Sequence, residues 1–257
     1  MKKQAAYGNE SISSLKGADR VRKRPAVIFG SDGIEGCEHS IFEILSNSID
    51  EAREGYGSRI IVTRYEDQSV EVEDFGRGIP VDYNTKEQRF NWELLFCELY
   101  AGGKYNNDAD ESYEYSLGLN GLGLCSTQYA SEYMDVDIRR DGVQYLLHFE
   151  KGENVGGLKK ESYTKKDTGT RIRWKPDLEV FTDIQVPVEY FLDIIKRQAI
   201  VNDGVTFVFR NQVGNQFETT EFCYQNGIVD HVKEIAGEDA LTSVQFWQTE
   251  RKVRDRD

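Results

Sequence analysis

Apolar and polar positions along this chain follow two rhythms, and the places where one gives way to the other mark out the elements. The stretch from Glu38 to Gly55, "EHSIFEILSNSIDEAREG", repeats near 3.6 residues and predicts a helix that Gly55 ends. "RIIVTRY" and "SVEVED" alternate with period two and predict two strands joined by a polar turn at residues 66–68. "FGRGIP" breaks the second strand, and "WELLFCELY" predicts a short helix. Residues 101–116 are long, polar and without apolar period, as expected of a mobile loop, and "LGLCSTQYAS" predicts a helix opening directly from glycines. "YMDVDIRR" and "VQYLLHFEKG" predict a hairpin turning at Asp141-Gly142. "GTRIRWKP" predicts a strand, "VEYFLDIIKRQAIVN" an amphipathic helix and "GVTFVFRN" another strand. After a polar gap at residues 212–216, "ETTEFCYQ", "GIVDHVKEIAG" and "SVQFWQTE" predict strand, helix, strand. Near the start, any helix through "KGADRVRKR" is expected to stop at Pro25.

Antiparallel hairpins with helices between them predict an α+β fold, a two-layer sandwich with helices on one face of a mixed, mainly antiparallel sheet. The expected division is one domain over residues 1–217, and from 218 to 257 the beginning of a second α/β unit that is incomplete.

The Glu38–Gly55 helix carries an unusual stripe. With Glu43 at zero and about 100° per residue, His39, Asn47, Asp50 and Glu54 fall within roughly 40° of it. Ile41, Ile44, Leu45, Ser48 and Ala52 fall opposite, as the face that packs on the sheet. Most polar stripes are simply solvated. This one holds no lysine or arginine to pair its acids, and it includes Asn47, a mediocre helix former whose amide oxygen can hold Mg²⁺. A Glu one turn before an Asn is a plausible base-plus-magnesium arrangement.

In "SVEVEDFGRGIP" the residues Val70, Val72 and Asp74 share one strand face, so Asp74 points inward, where an unpaired carboxylate is costly. Its donor is either a backbone cap in the glycine turn or the exocyclic amino group of a bound base. Gly76 and Gly78 allow a flat ligand close to the backbone. "DFG" at residues 74–76 lacks the upstream motifs of a protein kinase, and no P-loop is present. The glycines Gly118, Gly121 and Gly123 stand as G-x-x-G-x-G just where a helix opens, a place that attracts phosphate.

Bulk properties narrow the class. Over 257 residues, 45 acids against 32 basic residues give a net charge of −13, which repels bare DNA and anionic membranes. The four cysteines, Cys37, Cys97, Cys125 and Cys223, have no metal-ligand spacing and read as reduced thiols of a cytoplasmic protein. No run approaches membrane-spanning length, and "MKKQAAYGNE" is not a secretory signal.

The order of these blocks resembles the nucleotide site of the GHKL ATPases (gyrase, Hsp90, histidine kinase, MutL), and within them the ATPase subunit of bacterial type II topoisomerases, gyrase B and its topoisomerase IV counterpart. The likeness is carried by "LKGADRVRKRPAVIFG" (15–30), "HSIFEILSNSIDEA" (39–52), "VEDFGRGIPV" (72–81), "LYAGGKY" (99–105), "GLNGLG" (118–123) and "GTRIRWKPD" (169–177), with "VNDGVTFVFR" near 201–210. The resemblance implies ATP and Mg²⁺. It implies Glu43 as general base with His39 in support, Asn47 on the metal, and Asp74 accepting from the adenine amino group with help from Thr170 and a water. Gly78 and Gly102 would line the pocket. Lys104 and the backbone of Leu117, Gly118, Leu119, Asn120, Gly121, Leu122 and Gly123 would cradle the phosphates. Tyr7, in an N-terminal arm, would reach the nucleotide of a second subunit in an ATP-bound homodimer. Arg77 and Arg140 match the rim where aminocoumarin inhibitors bind, with Glu51 placed to pair with Arg77. A gyrase A-like subunit and DNA are the implied partners of the full-length enzyme.

Three positions depart from the family pattern: Ser46 and Phe75 stand where it usually has Asp, and Asn120 where it often has His. Within the family a following transducer domain supplies a lysine to the γ-phosphate, so nucleotide binding with weak or no turnover is expected of these residues alone. An Hsp90-like chaperone or a MutL-like repair protein is the alternative, against which "KGADRVRKRPAVIFG" and "GTRIRWKPD" stand. A non-catalytic signalling domain is disfavoured by Glu43.

Overall fold

Alternation of apolar and charged residues builds one large sheet, and the long helix closes its apolar side. The computed structural model describes residues 14–101, 121–238, 240–247 and 249. Two short helices come first, α1 (Asp19–Arg22) and α2 (Pro25–Phe29). The expected stop at Pro25 occurs, and the same proline then opens α2, whose first position needs no N–H. Helix α2 ends at Gly30, which is left-handed at φ +78°. Helix α3 (Ile34–Arg53) begins four residues before the predicted Glu38. Its first turn contains Gly36 and follows Gly33, and such weak helix formers hide the period there.

Strands β1 (Arg59–Arg64) and β2 (Val70–Asp74) follow as predicted. A small hairpin, β3 (Tyr83–Asn84) and β4 (Arg89–Phe90), leads into α4 (Asn91–Cys97). Helix α5 (Gly123–Tyr129) opens from the last glycine of the cluster. The predicted hairpin is β5 (Ser131–Arg140) and β6 (Val143–Glu150); its turn residues Asp141 and Gly142 have φ +53° and +74°, the pair of left-handed conformations that a two-residue turn demands. Short strands β7 (Glu153–Asn154) and β8 (Lys159–Ser162) precede β9 (Gly169–Pro176). The last elements are α6 (Val188–Val201), β10 (Thr206–Val213), β11 (Gln216–Phe222) and α7 (Ile228–Ala236).

The sheet runs β11-β10-β1-β2-β9-β5-β6-β7, with β8 also on β6. Only the β1–β10 pair is parallel among these described strands, so the sheet is mixed and mainly antiparallel, as expected. Cross-strand register lines up buried rows on one face. Val62, Val72, Ile172, Val136 and Leu147 form one row, and Val70, Trp174, Met134 and Phe149 another. Ile41, Ile44, Leu45 and Ile49 of α3 pack on them in one continuous core. Helix α5 packs on β5 and α6 on β10, where the rings of Phe191 and Phe209 stack 5.2 Å apart. The opposite face is a lattice of alternating charge: Glu71 faces Arg173, which faces Asp135, and Arg171 lies against Asp137 at 2.8 Å. These pairs neutralise one another along β2, β9 and β5, while Ile61 and Val208 on the same side of β1 and β10 are buried.

Two expectations need correction. The division at 217/218 falls inside β11, which pairs along its length with β10, so residues to Phe222 belong to the first sheet. The main-chain ladder makes this strand, since its residues Gln216–Glu221 are all exposed and no apolar face announces it. The strand expected at "SVQFWQTE" does not form over its described part; residues 243–247 have no regular structure, and Phe246 and Trp247 lie exposed. Alternation without a neighbouring strand to pair with does not make one.

Candidate functional site

Helix α3 crosses the inner face of the sheet, and the later part of its stripe, Asn47, Asp50 and Glu54, borders a cavity of about 350 Å³. Asn47, Asp50, Glu51 and Glu54 line it from α3, together with Ile44 and Ser48. Val72 and Ile172 form an apolar floor on β2 and β9, Leu95 and Leu124 come from α4 and α5, and the turn after β2 contributes Gly78, Ile79 and Pro80. Asp50 is buried, although it belongs to the polar stripe.

At the floor sits Asp74. It lies in register with Ile60, at the end of an otherwise apolar row, and is only 8% exposed. Its Oδ1 accepts from the main-chain N–H groups of Gly76 at 3.1 Å and Thr170 at 3.2 Å. Its Oδ2 accepts from the Ser48 hydroxyl at 2.9 Å. A backbone cap therefore exists, and it engages one oxygen; the other accepts from Ser48, and both residues line the cavity. Burial raises the pKa of Asp74, opposed by the Gly76, Ser48 and Thr170 bonds. Thr170 closes the ring, its hydroxyl oxygen accepting from the Ile79 N–H at 3.2 Å. Gly78 has φ +79°, and a Cβ there would lie 2.8 Å from the Arg139 carbonyl, so only glycine lets this turn fold against β5.

The mouth is fixed by a cation. Arg77 forms a fork on Glu51, Nε to Oε1 at 2.7 Å and Nη2 to Oε2 at 2.9 Å, and its main-chain N–H also donates to Oε1 at 2.8 Å. Nη2 also reaches Glu54 at 2.5 Å, and the guanidinium lies 3.8 Å from the centre of the Tyr56 ring. The predicted Glu51–Arg77 pair is thus present. Burial pushes the Glu51 carboxyl up, but the Arg77 bonds outweigh it and the pKa is lowered. Arg140, across the mouth, donates to the Gly78 carbonyl at 2.7 Å.

Glu43 and His39 stand one and two turns before Asn47 on α3 and do not line this cavity. His39 Nε2 lies 3.0 Å from Glu43 Oε1, while Nδ1 faces the Phe29 carbonyl at 3.2 Å. Glu43 is directed at the first residue of α5, Gly123. The side-chain N–H of Asn47 donates to the Glu43 carbonyl at 2.9 Å, which leaves its amide oxygen as the atom able to bind a cation. Among the described residues no group of three or more His, Cys, Asp or Glu side chains can cage a metal. That donor set fits Mg²⁺ held by one protein oxygen and completed by substrate phosphates.

Of the expected site residues, the structure thus brings Asn47, Asp74, Gly78 and Thr170 around one cavity and sets Glu43, paired with His39, against Gly123 at the start of α5, next to Gly121 and Leu122 in the chain. The Gly121 carbonyl accepts from the Tyr100 N–H at 3.1 Å. Tyr7, Gly102, Lys104, Leu117, Gly118, Leu119 and Asn120 lie outside the described residues. Sequence reasoning missed Ser48 as the partner of Asp74; its signal was a hydroxyl on an otherwise apolar helix face. It also missed Tyr56 and Glu54 as partners of Arg77.

Residues 34–180 match the family model described as histidine kinase-, DNA gyrase B-, and HSP90-like ATPase. The DNA gyrase B protein of Thermotoga maritima is 38% identical over 97% of this chain and 38% of its own length. The DNA topoisomerase 4 B protein of Enterococcus faecalis is 35% identical over 94% of this chain and 35% of its own. The chain therefore spans little more than a third of these relatives. Among solved structures, the 43K ATPase domain of Thermus thermophilus gyrase B in complex with an aminocoumarin superposes with a TM-score of 0.72 at 30% identity, covering 87% of this chain and 56% of that one. The topoisomerase IV ATP-binding domain of Francisella tularensis, in complex with a small-molecule inhibitor, gives 0.71 at 30% identity, over 86% and 58%.

Proposed function

Since this chain belongs to the histidine kinase-, DNA gyrase B- and HSP90-like ATPase family, we propose that it is the ATP-binding and ATP-hydrolysing module of a bacterial type II DNA topoisomerase, of the gyrase B kind. The observation that carries the reading is the buried Asp74 carboxylate lining a cavity with Ile44, Val72 and Ile172, one of its oxygens taken by the backbone cap and the other bonded only by the Ser48 hydroxyl among the described residues. A flat heterocycle with an exocyclic amino group fits that pairing of apolar walls and one acceptor, as adenine does.

In this reading adenine lies between Val72 and Ile172 on one side and Ile44 on the other, and its amino group donates to Asp74. The triphosphate extends toward α5. Gly121, Leu122 and Gly123, with Gly102, Lys104 and the residues from Leu117 to Asn120, hold the phosphates. Glu43 takes the proton from a water as its oxygen attacks the γ-phosphorus, and the bond to the β–γ bridging oxygen breaks to give ADP and phosphate. His39 holds the Glu43 carboxylate in place. Asn47 would hold Mg²⁺, which neutralises phosphate charge when bound.

ATP-dependent homodimerisation through the arm that carries Tyr7, coupling to DNA strand passage with a gyrase A-like subunit, and cytoplasmic location complete the proposal. No helix among the described residues is long and apolar enough to cross a membrane. Arg77 and Arg140 at the mouth would bear aminocoumarin-type inhibitors, a reading supported by the ligand of the Thermus thermophilus relative. A second α/β unit would begin after β11. The shares of identity with gyrase and topoisomerase IV proteins favour this reading over a chaperone or a mismatch-repair clamp.

The test is Glu43→Ala in the full-length protein. Nucleotide titration should show ATP binding retained while hydrolysis is lost; unimpaired hydrolysis overturns the assignment of the base. Supercoiling against decatenation by the full-length protein with its partner decides between the two topoisomerase activities.

A further inference from the structure

Gly123 begins α5 without a left-handed backbone, so its φ does not require glycine. Alanine is the better helix former there by about 1 kcal/mol. The reason for glycine lies across the helix junction. A Cβ on Gly123 would stand 2.3 Å from Glu43 Oε2, 3.1 Å from Glu43 Cβ and 3.3 Å from Glu43 Cδ. All three atoms belong to one side chain, and the closest is the carboxylate oxygen opposite the one that His39 holds at 3.0 Å.

Neither backbone can yield freely. The start of α5 is pinned by Ser126, whose N–H and hydroxyl both reach the Leu122 carbonyl at 2.8 Å, and by the Tyr100 N–H on the Gly121 carbonyl. On α3 the backbone around Glu43 is held by Ile41, Ile44 and Leu45, all buried against the sheet. The carboxylate is the mobile element, and it would move by leaving His39.

We propose that Gly123 is a positioning residue for hydrolysis: the space left by its missing side chain is the seat of the Glu43 carboxylate. The inference rests on the reading of Glu43 as the base. A displacement near 1 Å of a reacting group lowers rates about a hundredfold. Alanine keeps the N–H at position 123, so binding is spared while turnover is not.

The experiment uses the full-length protein and reads ATP affinity and kcat separately. Gly123→Ala should hold ATP within about threefold of the wild-type affinity, with an unchanged or raised thermal midpoint, and lose about a hundredfold in kcat. In the Glu43→Asp background, whose shorter side chain leaves room at the carboxylate, the same substitution should lower kcat by less than tenfold further. A Gly123→Ala protein with kcat within threefold of wild type overturns the proposal, as does an equal loss on both backgrounds. So does a variant that unfolds or binds ATP poorly, because α5 would then have moved in place of Glu43. Glu43→Gln separates the two readings: full turnover in that variant removes the base assignment itself, whereas a dead Glu43→Gln beside an active Gly123→Ala removes only the positioning role.

Discussion

Ser48→Ala removes the one side-chain donor that reaches Asp74 Oδ2, at 2.9 Å, between two residues that are 5% and 8% exposed. A hydrogen bond to a charged group contributes about 1.5–3 kcal/mol. Asp74 lines the cavity, where water can replace part of that, so about 1–2 kcal/mol of support for the ionised carboxylate should be lost. The consequence depends on pH, and its sign follows from the direction of the shift. Burial already raises the folded pKa of Asp74 above its unfolded value, with Ser48 among the groups opposing the rise. The native state therefore holds the extra proton between the two values, and stability falls as pH climbs through that window. Without Ser48 the folded pKa rises further. The stability difference between variant and wild type should be largest above the window, a thermal midpoint lower by several degrees at neutral pH, and should shrink in acid. Nucleotide affinity should behave oppositely. If the adenine amino group donates to an ionised Asp74, the two proteins should bind within about threefold at high pH. On the acid limb the variant should be about five- to thirtyfold weaker, the equivalent of 1–2 kcal/mol. Titrating a fluorescent ADP analogue across pH and taking the ratio of the two affinities cancels the ionisation of the nucleotide. A ratio that stays flat with pH refutes the assignment of Asp74 as the acceptor. Asp74→Asn serves as the limit, with affinity lost at every pH.

Two further substitutions probe the frame that holds the site. Arg22→Ala should cost about 3 kcal/mol in denaturant unfolding, because Arg22 Nη2 pairs with the buried Asp177 at 2.6 Å while Nη1 donates to the Tyr129 carbonyl, and both buried acceptors would lose that partner; a loss below 1 kcal/mol would show that water reaches the pair. Gly169→Ala should destabilise by at least about 3 kcal/mol and weaken nucleotide binding together, since φ is +144° and the new Cβ would lie 2.1 Å from the Asp74 carbonyl oxygen, prising β9 from β2 at the site itself; unaltered binding in a folded variant would place Asp74 outside the nucleotide contact.

The inner sheet and α3 were legible because burial imposes a period on them: Val70, Val72 and Asp74 had to share a face, and the structure puts all three inside. Even the inward aim of a lone carboxylate could be read from two valines. What could not be read is whatever depends on a neighbour distant in sequence. Strand β11 has no apolar face and exists through its pairing with β10, so its place in the first sheet was invisible. Ser48 looked like a small residue tolerated on a packing face, because its partner Asp74 lies 26 positions away. Asp50 was placed in the polar stripe on angle alone, and its burial there could not be read from the angle. The glycine order near residue 123 was visible, but not that one glycine answers to a glutamate on another helix.

The hydrogen bond from the Tyr100 N–H to the Gly121 carbonyl has a consequence for how this chain tolerates change. It joins the two ends of the stretch between α4 and α5 and so sets where that stretch leaves the fold and where it returns. The entropy of closing such a stretch grows only logarithmically with its length, about 0.6 kcal/mol per doubling. A change of length between Tyr100 and Gly121 therefore costs little chain entropy as long as that bond still forms. Change at Tyr100 or Gly121 themselves, by contrast, moves the fixed ends.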